Sequence, residues 1–253
     1  MNIVSYGAGV NSTAMLIECV KRGIKVDLIT FADTGAERPH TYNYVKIFNS
    51  WLICNGMPEI TIVQTVDKDG SEFTLEEKCI EQKVLPSLAY GFKSCSEKHK
   101  IRPQNKFVNN WPPAKDQWKS GGKLTKLIGY DAGESHRTQK DYTDKKYDFW
   151  YPLVEWGMDR DDCVKTIEDT GLCQPGKSSC YFCPSMKPNE IRQLKAVYPE
   201  LTERALAIEA NAELTAVKGL GRNFAWKDIL ATDDMFEDDF FMAPELTCGC
   251  YDG

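Results

Sequence analysis

One stretch at the start of the chain, Met1 to Leu16 (MNIVSYGAGVNSTAML), restricts the fold more than any other. Asn2 to Ser5 reads as a short buried strand and Gly7-Ala8-Gly9 as a turn almost without side chains. Ser12 to Val20 reads as a helix with apolar residues at Met15, Leu16, Cys19 and Val20. A strand feeding a helix through a bare loop leaves backbone N–H groups at the helix start without intrahelical partners, and the macrodipole adds about half a positive charge there. Phosphate, sulfate or carboxylate is the guest such a junction accepts. Gly7 and Gly9 let an anion approach the backbone, and Ser12 and Thr13 offer hydroxyl donors. A tight turn with no ligand makes the same local demands, so both readings stay open.

Two familiar anion loops fit poorly. No Gly-Lys-Ser/Thr follows Gly9, which argues against a Walker loop. A dinucleotide fingerprint places a third glycine where Ser12 stands, although Asp33 lies at the distance expected of a ribose-binding acid.

The next segments keep the rhythm. Lys25 to Phe31 reads as a buried strand running into Ala32-Asp33-Thr34-Gly35-Ala36-Glu37, His40 to Cys54 as a helix, and Glu59 to Thr65 as a third strand. Alternating strands and helices imply a doubly wound parallel α/β sheet, whose ligands gather at the carboxyl ends of the strands. Asp33 and Glu37 are placed there to receive ribose hydroxyls or a base amino group, or to cap the helix that follows. Thr74 to Gln82, and Ser96 to Val108 interrupted by Pro103, read as helices. Leu124 to Tyr130 reads as a strand ending in Asp131-Ala132-Gly133-Glu134-Ser135-His136-Arg137, where Arg137 can clamp two oxygens of a phosphate or sulfate or serve a surface ion pair. Arg160 to Thr170 is a helix stopped by Gly171, and Asn189 to Ala212 is helical in two pieces split near Pro199.

The chain's 253 residues suffice for one substantial domain. No basic-then-apolar leader and no apolar run near the roughly 20 residues of a membrane span occurs, so a soluble, cytoplasmic protein with no membrane partner is expected. The formal charge of −6 argues against broad nucleic-acid coating. A local basic stretch nevertheless runs from Lys93 to Lys126, and acids concentrate between Asp233 and Glu245.

Ten cysteines are many for a compartment where structural disulfides are rare. Cys19 and Cys54 fall in apolar helical patterns and read as core residues, and Cys79 has no partner pattern. Cys180 and Cys183 form a C-x-x-C followed by Pro184, which lets one loop present two thiolates to a metal or cluster; Cys95, Cys163 and Cys173 are the thiols able to converge with them. Zinc, an iron-sulfur cluster and a dithiol redox pair all suit this pattern. Cys248 and Cys250, near the end of the chain, are candidate nucleophiles.

Taken together, the Gly-rich loop, ADTGAE, CSEKHKIRP, GYDAGESHR and SSCYFCP resemble the phosphoadenosine phosphosulfate (PAPS) reductase family. That family lies within the adenine-nucleotide alpha-hydrolase-like, or PP-loop, superfamily. The likeness is nearest to the cysteine-containing branch that includes DNA phosphorothioation sulfurtransferases and phage proteins, and it runs from residue 1 to about residue 230. It implies a nucleotide-binding α/β domain over 1–155, with a helical cysteine-rich segment and tail, 156–253, packed on it. By resemblance, the loop from Ser5 to Thr13, with Gly7, Gly9, Asn11 and Ser12, holds the phosphate or sulfate end of an adenine nucleotide. Asp33, Thr34 and Glu37 line the pocket, and Glu134, Arg137 and Lys100 surround the reacting end. A 4Fe-4S cluster, with zinc as the alternative, takes Cys95, Cys180 and Cys183 with Cys163 or Cys173 as the fourth ligand. Asn11 stands where ATP pyrophosphatases of the superfamily carry an Asp, keeping hydrogen bonding without the charge that helps a magnesium ion. Thr247-Cys248-Gly249 replaces part of the Glu-Cys-Gly-x-His ending of assimilatory PAPS reductases.

The resemblance implies an enzyme working by one of two routes. A Cys248 or Cys250 thiolate attacks the sulfur of APS or PAPS, with a thiol reductant releasing sulfite. Alternatively, ATP adenylates a nucleic acid or small molecule, and sulfur drawn from a partner such as a cysteine desulfurase displaces AMP. A nucleotide-binding regulatory protein that has lost the chemistry is a third reading, and a homo-oligomer is compatible with all three.

Overall fold

The computed structural model describes residues 1–66, 70–86, 88–89, 92–138, 144–214 and 216–232. β1 (Asn2–Ser5) leads into α1 (Val10–Lys21), followed by β2 (Leu28–Asp33), α2 (Pro39–Cys54), β3 (Ile60–Gln64) and α3 (Leu75–Glu81). A short antiparallel pair, β4 (Leu88–Ala89) and β5 (Phe92–Lys93), precedes one helical turn, α4 (Ser94–Ser96), and a π-helical turn (Glu97–Ile101). Then come α5 (Arg102–Asn110), α6 (Pro112–Lys119), β6 (Leu124–Leu127), a 3-10 segment (Ala132–Thr138) and β7 (Tyr147–Trp150). The remaining helices are α7 (Pro152–Glu155), α8 (Arg160–Glu168), α9 (Pro188–Val197), α10 (Pro199–Asn211) and α11 (Trp226–Ala231).

Five strands form one all-parallel sheet in the order β3-β2-β1-β6-β7. The chain winds outward from β1 to β3, then returns to the other side of β1 to add β6 and β7, which is the doubly wound α/β plan. Strand order therefore reverses between β1 and β6, the point where sheets of this kind place their ligand crevice, at the strands' carboxyl ends. Both sheet faces are covered, which is why β2 is buried along nearly its whole length. On one face Ile29, Phe31 and Leu127 pack against Met15, Leu16 and Ile17 of α1, Phe48 and Leu52 of α2, and Cys163 and Ile167 of α8. On the other, Ile3, Leu28 and Leu124 pack against Val108 and Ala114. A separate apolar cluster joins Ala36, Leu75 and Cys79 to Tyr181, Phe182, Cys183, Ile191, Ala205 and Trp226. Among the described residues no helix is long and apolar enough to cross a membrane.

The structure refines two expected elements and adds a third. Pro103 falls in the first turn of α5, where a missing N–H breaks no bond, so it starts a helix after the π turn instead of only interrupting one. β6 stops at Leu127, short of Tyr130, because the chain must then pass close to α1: a Cβ on Gly129 would stand 3.0 Å from Ser12 Cα and 3.1 Å from Ser12 N. β7, only four residues long and partly exposed, carries too little apolar pattern to announce itself.

His99, in the π turn, is buried. Its Nδ1 lies 3.1 Å from Thr65 Oγ1, and its Nε2 has no hydrogen-bond partner among the described residues. Burial, with Lys78 and Lys98 adding to it, lowers the imidazole pKa to about 4. The folded state thus keeps His99 neutral at a pH where the unfolded chain, with a pKa of about 6.5, is already protonated. Stability is expected to fall as pH drops from about 6.5 to about 4, by up to about 3 kcal/mol from this residue. Urea denaturation at pH 7 and pH 5 should show a larger loss for the wild type than for His99→Gln; equal losses would contradict the assignment.

Candidate functional site

The loop after β1 holds its shape with one strained residue. Ala8, buried, has φ 57°, a left-handed conformation that a non-glycine residue adopts at a cost. Gly9 is the N-cap of α1, and no side chain caps that helix. The Ser12 and Thr13 hydroxyls point their hydrogens at the loop's own Gly9 carbonyl, at 3.2 and 2.8 Å, and Thr13 Oγ1 also meets the Tyr6 hydroxyl at 3.0 Å. Back-bonding of this kind is common for Ser and Thr near a helix start. The first-turn backbone N–H groups are what remain for a ligand. Ser5 closes β1 just before the loop and is buried.

Across the crevice, the segment after β6 supplies charge. Asn11 Nδ2 donates to Asp131 Oδ2 at 2.9 Å and to Glu134 Oε2 at 3.2 Å, while Arg160 Nη1 donates to Asn11 Oδ1 at 3.0 Å. Arg137 donates to Glu134 and, at 3.1 Å, to the Tyr130 hydroxyl, with its guanidinium 3.9 Å over the Tyr130 ring. Asn11, Glu134 and Arg137 therefore belong to one network with Asp131 and Arg160. Arg160 reads as an ordinary helix-start residue in the sequence, and only the packing of α8 on α1 brings it here.

The two acids at the end of β2 behave differently. Asp33 is fully engaged: Oδ1 accepts from Gly35 N at 2.8 Å and the Tyr42 hydroxyl at 2.7 Å, and Oδ2 from Gln64 Nε2 at 3.1 Å. Burial, with the bond to Asp33, pushes the Tyr42 hydroxyl's pKa up. Glu37 is buried, with Oε1 3.1 Å from Lys100 Nζ in an ion pair that lacks hydrogen-bond alignment. Its Oε2 has no hydrogen-bond partner among the described residues, leaving an acceptor free for a ligand.

The cysteine loop is stitched to this same strand end. Glu37 and Cys180 form an antiparallel bridge, Tyr181 N donates to the Ala36 carbonyl at 2.9 Å, and Thr34 Oγ1 lies 3.3 Å from Cys180 Sγ. Cys95, Cys180 and Cys183 line one small cavity together with Thr34 and Lys100. The other two candidate thiols lie elsewhere. Cys163 is in the sheet-side core, its pKa pushed up to about 12 by burial, and Cys173 is exposed. Cys79, which lacks any spacing signal, belongs to the apolar cluster that holds Cys183 and against which Cys95 and Cys180 pack. Among the described residues no three His, Cys, Asp or Glu side chains are gathered closely enough to hold a single metal ion. Cys248 and Cys250 lie outside the described residues.

Arg38 adds a buried cation at the β2 end, with Nη2 3.7 Å from Met186 Sδ and Nε unpartnered among the described residues. Burial lowers its pKa, opposed by Glu190, Cys183 and Glu37. No protein-family model and no curated protein matches the chain.

Removing one partner of a buried ion pair leaves an uncompensated charge, at a cost of roughly 3–5 kcal/mol. Lys100→Met is therefore expected to destabilise the fold by about 3 kcal/mol, and Glu37→Gln in the same chain should restore much of it. A denaturation double-mutant cycle tests this, and strictly additive losses would contradict the coupling.

Proposed function

We propose that the protein is a PAPS reductase-like enzyme that binds an adenine nucleotide across the β1–β6 crevice and reduces or transfers sulfur beside it. The observation that carries this reading is the join between the β2 end and the cysteine loop. Thr34, expected at the nucleotide, is 3.3 Å from Cys180 Sγ and lines the thiol cavity. Nucleotide and thiols thereby share one wall.

In this reading the first-turn N–H groups of α1 hold the phosphate or sulfate, as helix starts do. Glu37 Oε2 accepts from the nucleoside, and Arg137 leaves Glu134 to stabilise charge on the departing phosphate. A Cys248 or Cys250 thiolate attacks the sulfur of adenylyl sulfate, forming an S–S bond as the sulfur–oxygen bond to the nucleotide breaks. A thiol reductant then attacks the cysteine sulfur and releases sulfite, leaving a disulfide. Soft thiolate donors suit an iron-sulfur cluster, which Cys95, Cys180 and Cys183 would hold with one further ligand. Such a cluster would supply an electron- and sulfur-handling centre.

One contact favours a second reading, ATP-dependent sulfur transfer to a nucleic acid or small molecule. Asn11 is bonded to Asp131 and Glu134, so two carboxylates stand where the loop itself lacks a charge, the disposition a magnesium–ATP complex uses.

Anaerobic purification followed by iron, sulfide and zinc analysis tests the cavity. Cys95→Ser, Cys180→Ser and Cys183→Ser should each lose bound metal, whereas Cys163→Ala and Cys173→Ser should keep it; no metal in the wild type would overturn the metal assignment. Incubation with APS, PAPS and ATP then separates the routes by sulfite against pyrophosphate release. Binding without turnover of any of the three would leave a nucleotide-binding regulatory protein.

A further inference from the structure

The α1 anion site lacks the side-chain donors that its own loop offers in sequence. Ser12 and Thr13 spend their hydroxyl hydrogens on the Gly9 carbonyl. Gly9 itself has φ −106° and ψ 174°, an extended conformation open to any residue, so the backbone does not demand a glycine. What a side chain there would meet is informative: a Cβ on Gly9 would stand 3.4 Å from Ser178 Oγ. The cysteine loop thus brings a hydroxyl beside Gly9, the N-cap of a twelve-residue helix whose N-terminus no side chain caps.

Ser178 is 9% exposed, and its hydroxyl engages no hydrogen-bond partner among the described residues. Ser179 beside it is 2% exposed, with Oγ likewise unpartnered among the described residues. Buried hydroxyls are normally bonded, and one left without a partner is costly. Ser179 Oγ is such a group, and Ser178 Oγ, which solvent still reaches, stands beside the bare helix start where an acceptor from outside the chain can meet it.

We propose that Ser178 is a binding residue for the tetrahedral oxyanion, phosphate or sulfate, at the start of α1, donating its hydroxyl from the cysteine-loop side while the backbone N–H groups donate from the helix. This rests on the proposal that the nucleotide's anionic end occupies that helix start, and adds a donor from a distant part of the chain. It also ties the two halves of the site together. Two residues beyond Ser178, Cys180 is bridged to Glu37 and lines the thiol cavity, so the loop that would carry the cluster also closes over the anion.

Calorimetric titration of the full chain with ATP and with APS, for the wild type, Gly9→Ala and Ser178→Ala, tests this. Gly9→Ala keeps the backbone conformation but sets a methyl between helix and hydroxyl, so it should weaken binding strongly. Ser178→Ala should weaken at least one of the two nucleotides by roughly ten-fold or more, the range of a hydrogen bond to a charged group. Melting temperatures and the alkylation rates of Cys180 and Cys183 should match the wild type, showing the loop in place. Loss in Gly9→Ala with unchanged affinity for both nucleotides in Ser178→Ala would overturn the Ser178 assignment alone. Affinity lost in Ser178→Ala together with altered Cys180 and Cys183 alkylation would overturn it too, as a displaced loop. No binding by the wild type, or none lost in Gly9→Ala, would overturn the helix-start reading and Ser178 with it.

Discussion

The backbone bridge between Glu37 and Cys180 is the contact on which the candidate site depends. It fastens a loop from the C-terminal half of the chain to the carboxyl end of β2, where a doubly wound sheet gathers its ligands. The bridge and the adjacent bond from Tyr181 N to the Ala36 carbonyl satisfy backbone groups that the end of the sheet leaves unpaired. Tyr181, Phe182 and Cys183 are then carried into the cluster with Ala36, Leu75 and Cys79. Without that apolar seat the thiol cavity would have no wall on the strand side.

Charge is concentrated around this joint in a form that stability alone does not explain. Glu37, Arg38 and Lys100 are all largely withdrawn from water within a few residues of the bridge, and Glu37 Oε2 and Arg38 Nε lack partners among the described residues. Buried ion pairs repay their desolvation poorly, and an apolar replacement often folds as well. Side chains held in this way are the ones a ligand can complete. The Ser179 hydroxyl fits the same pattern on the cysteine loop. The Asp131, Glu134 and Arg160 contacts to Asn11 show the opposite condition, a network already closed across the crevice.

The sheet was legible because it is buried on both faces. In Leu28–Asp33 the apolar residues Leu28, Ile29, Phe31 and Ala32 are interrupted only by Thr30, and the bare loop after β1 marks the first crossover whatever its ligand. β7 was not legible, since Tyr-Asp-Phe-Trp shows neither alternation nor a long apolar run. Spacing proposed five cysteines, but whether a thiol faces Cys180 depends on which core its helix enters: Cys163 follows α8 into the sheet-side core, while Cys95 meets Cys180 and Cys183 at the cavity. Asp33 shows the same limit. Its position at a strand end can be read, but its saturation by Gly35, Tyr42 and Gln64 cannot. Arg160 and Ser178 reach the crevice only through tertiary packing, with no local pattern to mark them.

The central claim is that nucleotide pocket and thiol cavity form one site with a shared wall at Thr34 and Cys180. Its most direct test is residue-resolved alkylation by mass spectrometry under anaerobic conditions, on metal-free protein, with and without saturating nucleotide. Cys95, Cys180 and Cys183 should slow together when the nucleotide binds, while the exposed Cys54 and Cys173 react at unchanged rates. Nucleotide binding that leaves Cys180 and Cys183 as reactive as before would contradict the claim and separate the two sites.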